Sequence, residues 1–172
     1  MNFATIKNCD VANGSGVRIS LFVSGCTHHC KNCFNEEAWD FNYGEEFTQS
    51  TIDEIMELLE PSYIKGLSLL GGEPLEPQNQ LGILPLLRKV KEVYPTKDIW
   101  CYSGYTLEYI QSKMVDELPY TKELLSYIDV LVDGKFVEEL KNPMLQFRGS
   151  SNQRLINLPK TLQENTIVLW EE

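Results

Sequence analysis

The chain has 172 residues, enough for one domain with a hydrophobic core, and 42% of them are hydrophobic. Its 15 basic and 25 acidic residues give a formal net charge of −10, which argues against nucleic acid and anionic membrane surfaces as primary partners. There is no apolar run of membrane-spanning length and no apolar segment of a secretory signal near the N-terminus. The five cysteines are odd in number and clustered, which is typical of a reducing compartment. We therefore expect a single cytoplasmic domain over residues 1–172.

Apolar runs typical of strands alternate along the chain with amphipathic segments typical of helices. Strands are expected at residues 3–7, 19–23, 66–70, 97–102 and 128–132, and a further strand around residues 167–170. Helices are expected at residues 36–39, 52–59, 81–93, 106–113 and 121–127. Ser50 or Thr51 is the expected cap of the second of these, and Pro61 ends it. In the third, Leu84, Leu87 and Val90 are expected to face the core. Strands separated by helices of this length predict βαβ units and a parallel sheet.

Polar loops that contain glycine follow three of the expected strands. They are Gly71-Gly72-Glu73-Pro74, Ser103-Gly104 and Asp133-Gly134-Lys135. Loops at the carboxyl ends of parallel strands collect at one edge of the sheet, so we expect these three together. Glycines at 71 and 72 allow a ligand or another backbone to approach closely, and Glu73 beside them suits an ammonium group. The alternative is a tight turn with a solvated glutamate.

Three cysteines lie on the loop that follows the expected strand at residues 19–23. Cys26, Cys30 and Cys33 are spaced C-x3-C-x2-C within eight residues. Thiolates this close together can converge on one face of an iron–sulfur cluster, and a [4Fe–4S] cluster normally takes four of them. Three thiolates leave one iron open to a small molecule, so the spacing favours a cluster with an accessible iron.

Two other interpretations of the cysteine loop remain open on spacing alone. One is a structural zinc site completed by His28 or His29, although no second C-x2-C pair is present. The other is a disulfide-linked loop, which requires an oxidising compartment. We expect both histidines at the loop surface. Cys101 is expected to be a buried apolar residue of a strand, and Cys9 has no evident partner.

Taken together, these motifs resemble the radical S-adenosylmethionine (SAM) enzymes, and among them the activating proteins of anaerobic (class III) ribonucleoside-triphosphate reductases. The resemblance extends from about residue 13 to about residue 154. It rests on residues 24–35, 70–75, 97–100, 103–105, 130–136 and 148–153. The cysteine spacing is typical of the superfamily. Val132-Asp133-Gly134-Lys135-Phe136 and the Arg-Gly-Ser-Ser-Asn-Gln run at 148–153 are typical of the subgroup.

The resemblance implies a cofactor set and the residues that bind it. Cys26, Cys30 and Cys33 hold a [4Fe–4S] cluster, and the amino and carboxylate groups of SAM chelate its fourth iron. The implied cofactor-binding residues are Asn32, Cys33, Phe34, Gly71, Gly72, Glu73, Ser103 and Asp133. Either Asn32 or Phe34 packs on the adenine. Asp133, with Lys135, holds the SAM carboxylate or a cation, or forms an ion pair at the strand end. A side chain at position 72 is expected to weaken SAM binding while leaving the cluster intact.

The chain length limits the fold that the resemblance implies. A full eight-unit barrel needs about 250 residues. This chain has room for five or six βα units, so we expect an α/β fold of radical SAM type, an incomplete, splayed (β/α)5–6 barrel with parallel strands. An open side suits a substrate that is a loop of another protein.

The implied activity is that of a glycyl-radical activase. A flavodoxin-type donor reduces the cluster, SAM is cleaved to methionine and a 5′-deoxyadenosyl radical, and this radical takes a hydrogen atom from one glycine of the anaerobic ribonucleoside-triphosphate reductase. The nearer alternative is an activase of another glycyl radical enzyme, such as pyruvate formate-lyase. The more distant alternative is a non-catalytic interaction module stabilised by zinc.

Overall fold

Seven strands form one open sheet in the computed structural model, which describes all of residues 1–172. They are β1 (Asn2–Asp10), β2 (Val17–Val23), β3 (Glu45–Glu46), β4 (Ile64–Gly71), β5 (Asp98–Ser103), β6 (Val130–Asp133) and β7 (Arg154–Asn157). Their spatial order is β3-β1-β2-β4-β5-β6-β7. The four central strands β2, β4, β5 and β6 are parallel, which confirms the parallel sheet expected from the sequence.

The edges of the sheet differ from that expectation because they are antiparallel. β1 pairs antiparallel with β2, β3 with β1, and β7 with β6. Only residues 11–16 join β1 to β2, and the connection from β6 to β7 contains a 3-10 turn at Glu138–Leu140 but no α-helix. Parallel pairing requires a crossover of a dozen or more residues, usually through a helix; the β1–β2 connection is too short for one, and the β6–β7 connection has no helix.

Six α-helices accompany the sheet: α1 (Gln49–Leu58), α2 (Pro77–Val93), α3 (Leu107–Tyr109), α4 (Val115–Glu117), α5 (Thr121–Tyr127) and α6 (Leu158–Glu164). A π-helical segment, Ile110–Met114, joins α3 to α4, and a 3-10 turn covers Glu36–Trp39. The cap of α1 is Thr48, not Ser50 or Thr51, although Thr51 takes part by accepting a hydrogen bond from the Thr48 amide at 3.1 Å. Of the expected C-terminal strand, a single bridge between Ile156 and Leu169 forms.

The helices pack on one face of the sheet and build the main core. Alternate residues of β2, such as Ile19 and Leu21, share one buried apolar cluster with Leu84, Leu87 and Val90 of α2. This confirms the inward face expected for that helix. Each fully buried aliphatic side chain contributes about 1.5–3 kcal/mol relative to an exposed one, so this layer fixes the position of the strand ends. No helix of the chain combines the length and apolar character needed to cross a membrane.

The opposite face of the sheet carries no helical layer and is partly polar. Arg18 is fully buried there, pairs with Asp98 at 2.6 Å and donates from Nε to Ser68 Oγ at 2.8 Å. Trp100 packs beside it and is covered by Trp170, with the two ring centroids 5.0 Å apart. Nearer the carboxyl ends of the strands, this face opens into a cavity.

Candidate iron–sulfur site

The cavity lies where the four parallel strands end and has a volume of about 450 Å³, within the range of small-molecule sites. Its floor is formed by the last residue of each strand that points to the face without helices. These residues are Phe22, Leu70, Tyr102 and Val132. The loops after the strands form its walls. The predicted site residues that line it are Cys26, Cys30, Cys33, Phe34, Gly71, Gly72, Glu73 and Ser103. Asn32 and Asp133 do not line it.

The cysteine loop reverses direction through residues with left-handed backbone conformations. Gly25 has φ 103°, His29 has φ 49° and Asn32 has φ 57°, and the Cys33 amide donates to the Cys30 carbonyl at 3.1 Å. All three thiols are free; Cys26 is buried, and the other two are half-buried. Burial raises the pKa of the Cys26 thiol to about 11, with Glu73 and Glu76 adding to the rise, and burial also raises that of Cys30. Metal binding at this loop would therefore release protons.

The three thiols line a shared cavity without converging on one point. No three His, Cys, Asp or Glu side chains of the chain are grouped closely enough to hold a single metal ion. A zinc site requires four ligands at about 2.0–2.3 Å from one ion. Three cysteines without a fourth ligand leave a zinc site incomplete, whereas a [4Fe–4S] cluster on three thiolates leaves one iron open to a small molecule.

The two histidines of the loop contact residues outside the loop. His28 Nε2 lies 2.7 Å from Glu73 Oε1, and the His28 side chain is only 6% exposed, so the expectation of a surface position is wrong for this residue. His29 is exposed and stacks on Trp39, with ring centroids 4.3 Å apart and an angle of 12° between the planes. Neither histidine is arranged with the cysteines as a metal ligand.

Backbone hydrogen bonds join the cysteine loop to the Gly71–Glu73 loop. The Glu73 amide donates to the Gly25 carbonyl and the Gly72 amide to the Val23 carbonyl, each at 2.8 Å. A Cβ at position 72 would lie 2.6 Å from the Gly25 carbonyl oxygen and 2.8 Å from that of Ala38. Glycine is therefore required here because another backbone approaches.

The Glu73 carboxylate is buried and already hydrogen-bonded, whereas the sequence suggested a carboxylate beside an opening. It is 1% exposed. Oε1 faces His28 and accepts from the Gly104 amide at 2.7 Å and from Ser103 Oγ at 3.1 Å, while Oε2 accepts from the Leu75 amide at 2.9 Å. Glu73 thus ties the loops after β2, β4 and β5 together at the cavity wall.

Asp133 is held by an ion pair and is turned away from the cavity. Its buried carboxylate accepts from the guanidinium of Arg154 and from the Leu107 amide at 2.8 Å. Arg154 also pairs with Glu108 at 2.6 Å, and this pair of carboxylates raises the pKa of the guanidinium. Of the interpretations open from the sequence, the ion pair at the strand end describes Asp133. The expected contact of its side chain with a cofactor does not fit this placement, and Gly134 lines the cavity instead.

Phe34 and Asn32, the two candidates for packing on an adenine, are placed differently. Phe34 lines the cavity, is 68% exposed, and has its ring centroid 5.2 Å from that of Phe136. Asn32 is exposed at the outer turn of the loop. An exposed aromatic side chain at a cavity mouth can cover a planar ring, so Phe34 is the better placed of the two.

Two polar residues at the start of α2 that the sequence did not single out support the site: Glu76, which precedes the helix, and Asn79 in its first turn. Asn79 is fully buried, and its Nδ2 donates to the Ser24 carbonyl at 3.0 Å and to the Glu73 carbonyl at 2.9 Å. Glu76 is buried and binds Thr27. The sequence placed the start of this helix at residue 81, so these side chains were assigned to a loop. The signal that could have found them is Pro77, a residue favoured at the first position of a helix.

Replacing Asn79 with leucine is expected to lower the free energy of unfolding by about 1–3 kcal/mol, because the buried Ser24 carbonyl loses its donor. Urea denaturation of the cluster-free protein measures this. Gln78→Leu is the control, since Gln78 is exposed in the same helical turn and should change stability by less than about 0.5 kcal/mol. Equal losses of stability in the two variants would contradict the role of Asn79 as a hydrogen-bond donor to the Ser24 carbonyl.

The residues around the cavity fit a bound cluster with a small organic ligand beside it. The indole Nε1 of Trp39, a residue of the cavity wall, is buried and has no hydrogen-bond partner within the protein. At Gly104 a Cβ would meet the His28 ring at 2.6 Å, so side-chain atoms are absent where the walls approach each other. Three thiols, an unpaired buried donor and glycine-bearing walls are consistent with a cavity that receives a sulfur-rich group.

Fold and site together define an iron–sulfur protein, and residues 12–156 match the family model described as a 4Fe-4S single cluster domain. Over 155 residues the chain is 45% identical to the anaerobic ribonucleoside-triphosphate reductase-activating protein of Vibrio cholerae, covering 89% of this chain and 96% of that protein. It is 44% identical to the protein of the same name from Enterobacteria phage T4 (90% and 93% covered) and 43% to that of Escherichia coli K12 (89% and 96% covered). The chain therefore belongs to the family of anaerobic ribonucleoside-triphosphate reductase-activating proteins.

Proposed function

We propose that this chain is the iron–sulfur activase that generates a glycyl radical on an anaerobic ribonucleoside-triphosphate reductase. The observation that carries the proposal is the joining of the three-cysteine loop to the Gly71–Glu73 loop in one cavity wall, in a chain whose relatives are named for this activation. Cys26, Cys30 and Cys33 would hold the [4Fe–4S] cluster, and SAM would bind beside it. When bound, the two supply one-electron chemistry that ends in removal of a hydrogen atom from the target glycine.

The roles of the other cavity residues in the proposal follow from their contacts. Backbone groups of Gly71 and Gly72 line the space beside the cysteine loop and are accessible because they carry no side chain. Glu73 holds the wall in place through Ser103 and Gly104, so its buried carboxylate would act on SAM by fixing this wall. Phe34, with Phe136 behind it, would cover the adenine and limit the access of water.

The open sheet favours a protein substrate over a small-molecule substrate. The cavity lies on the face without a helical layer, and the sheet ends at β3 and β7 without closing. We propose that this arrangement is an incomplete radical SAM barrel within a single domain of residues 1–172, and that the glycine-bearing loop of the reductase enters through its open side. A flavodoxin-type protein is the proposed electron donor, and the cytoplasm the proposed compartment.

Exposed apolar side chains at and near the mouth of the cavity suit contact with a partner protein. Phe34 lies at the mouth, and Met144 and Leu140 belong to the segment that leads to the lining residues Leu145 and Phe147. Met144 is 88% exposed, and Leu140 is also exposed. Apolar anchors of this kind supply much of the binding energy at protein interfaces.

Replacing Met144 with glutamate is expected to raise the KM for the reductase about tenfold, a loss of about 1.4 kcal/mol, within the range of interface truncations. SAM affinity should not change, because Met144 is not among the residues that line the cavity. Tyr63→Glu is the control; Tyr63 is exposed and precedes β4, at the opposite end of the strands. A KM raised equally by both substitutions would point to a general charge effect.

The test of the function is to mix the reconstituted and reduced chain, SAM and the reductase without oxygen and to record electron paramagnetic resonance (EPR) spectra. A glycyl doublet is expected, and it should disappear when the target glycine of the reductase is replaced by alanine. If the doublet forms only on pyruvate formate-lyase, the chain activates a different enzyme. Colourless protein with stoichiometric zinc and no doublet would support the zinc module instead.

A further inference from the structure

Each of the three residues between Cys26 and Cys30 is held by a side chain outside the cysteine loop. Thr27 binds Glu76, His28 faces Glu73 and His29 stacks on Trp39. The two residues between Cys30 and Cys33, in contrast, are both exposed and make no side-chain hydrogen bond. Side chains of other segments therefore hold residues 27–29, whereas no such contact holds residues 31 and 32.

Among these anchors, Glu76 makes the most specific contact. Its Oε1 accepts from the Thr27 amide at 2.9 Å and from Thr27 Oγ1 at 2.7 Å, so a single oxygen fixes both the backbone and the side chain of the residue next to Cys26. Glu76 is buried and precedes Pro77 at the start of α2, a helix of 17 residues packed on the sheet. A buried carboxylate needs such partners, and hydrogen bonds to a charged acceptor are stronger than neutral ones.

We infer that Glu76 is a positioning residue that sets the Cys26–Cys30 segment in the conformation that receives the cluster. This inference rests on the proposed function, because it requires the cluster to bind at these cysteines. A residue that already holds a ligand-binding loop in its bound conformation reduces the conformational entropy that the loop loses when the ligand binds. Glu76 makes its hydrogen bonds to the cysteine loop through Thr27, has no hydrogen bond to a thiol and does not line the cavity.

The experiment compares Glu76→Met, which removes the acceptor, with Glu76→Gln, which retains an oxygen at the same position. Each variant is reconstituted with iron and sulfide under anaerobic conditions, and iron loss to a chelator is followed by absorption. Glu76→Met is expected to lose iron about tenfold faster, as for the loss of a charge-assisted hydrogen bond, and to show an altered EPR spectrum of the reduced cluster. Glu76→Gln keeps an acceptor for Thr27 but loses the charge, so it should lose iron more slowly than Glu76→Met and keep the parent EPR spectrum.

The matched control is a buried hydrogen bond between α2 and α5. Thr121 Oγ1 donates to Gln80 Oε1 at 2.7 Å, and both residues are fully buried but have no contact with the cysteine loop. Thr121→Val should therefore lower the thermal stability of the cluster-free protein without accelerating iron loss. If it accelerates iron loss as much as Glu76→Met does, the role of Glu76 is only structural.

Thr27 provides a second, reciprocal test in case Glu76→Met fails to fold. Thr27→Val removes one donor to Glu76 and Thr27→Ser keeps it, so only the valine variant should lose iron faster and change the EPR spectrum. Parent-like rates in both Glu76→Met and Thr27→Val would overturn the inference, even with the cluster bound at the cysteines. Failure of the proposed function is a separate result, since the parent protein itself would then bind no cluster or give no glycyl doublet on the reductase.

Discussion

Replacing Cys26, Cys30 or Cys33 with alanine is expected to abolish cluster retention and, with it, glycyl radical formation. The three thiols line one cavity, and neither of the other two cysteines is placed to substitute. A [4Fe–4S] cluster that already has only three protein ligands would retain two. Iron and sulfide analysis after anaerobic reconstitution, together with the absorption spectrum, measures the loss.

Cys9→Ala and Cys101→Ala are the matched controls and should retain full iron content. Cys9 is exposed near the end of β1, and Cys101 is fully buried in β5 within the core on the helical face of the sheet. Burial raises the pKa of the Cys101 thiol well above its usual value, so it remains a protonated apolar residue. A cluster of normal stability in any of the first three variants would remove that cysteine from the ligand set.

The sequence was informative about the central part of the fold because the pattern there is local. The strands β2, β4, β5 and β6 are short, largely apolar segments separated by helical segments, a pattern that indicates βαβ units and a parallel sheet. The helix Thr121–Tyr127 was placed correctly. The direction of β1 and β7 depends on whether their connections can cross the sheet, and hydrophobic periodicity does not report this.

The sequence predicted the site residues that form a local motif. It did not predict the role of residues whose partner is distant in the sequence. The three cysteines and the glycines at positions 71 and 72 are recognisable as motifs, and the structure places them in one cavity. Asp133 pairs with Arg154, 21 residues away, and Glu73 faces His28, 45 residues away. Both are contacts between separate loops, so the sequence alone could not show that these carboxylates already have partners.

This difference also changes what a side chain at position 72 is expected to do. From the sequence alone, such a side chain would weaken SAM binding while the cluster remained. In the structure, the added Cβ would lie 2.6 Å and 2.8 Å from two carbonyl oxygens, those of Gly25 in the cysteine loop and Ala38 in the 3-10 turn. Real Cβ atoms do not approach backbone oxygens this closely, so the cysteine loop must move.

Gly72→Ala is therefore expected to reduce cluster content and SAM binding together, and to lower the free energy of unfolding of the cluster-free protein by about 1–3 kcal/mol, the usual cost of overpacking. Gly72→Val should act more strongly in the same direction. Iron content, calorimetry with SAM and urea denaturation measure the three effects.

Gly82→Ala is the control for the loss of a glycine as such. Gly82 lies in α2, where alanine is favoured, and an added Cβ would lie 2.8 Å from the Cβ of Met1, so only the first residue of the chain has to shift. This variant should keep its iron and its SAM affinity. If Gly72→Ala also keeps its iron and loses only SAM affinity, the Gly71–Glu73 loop acts on the ligand alone, and the hydrogen bonds that join it to the cysteine loop do not determine cluster retention.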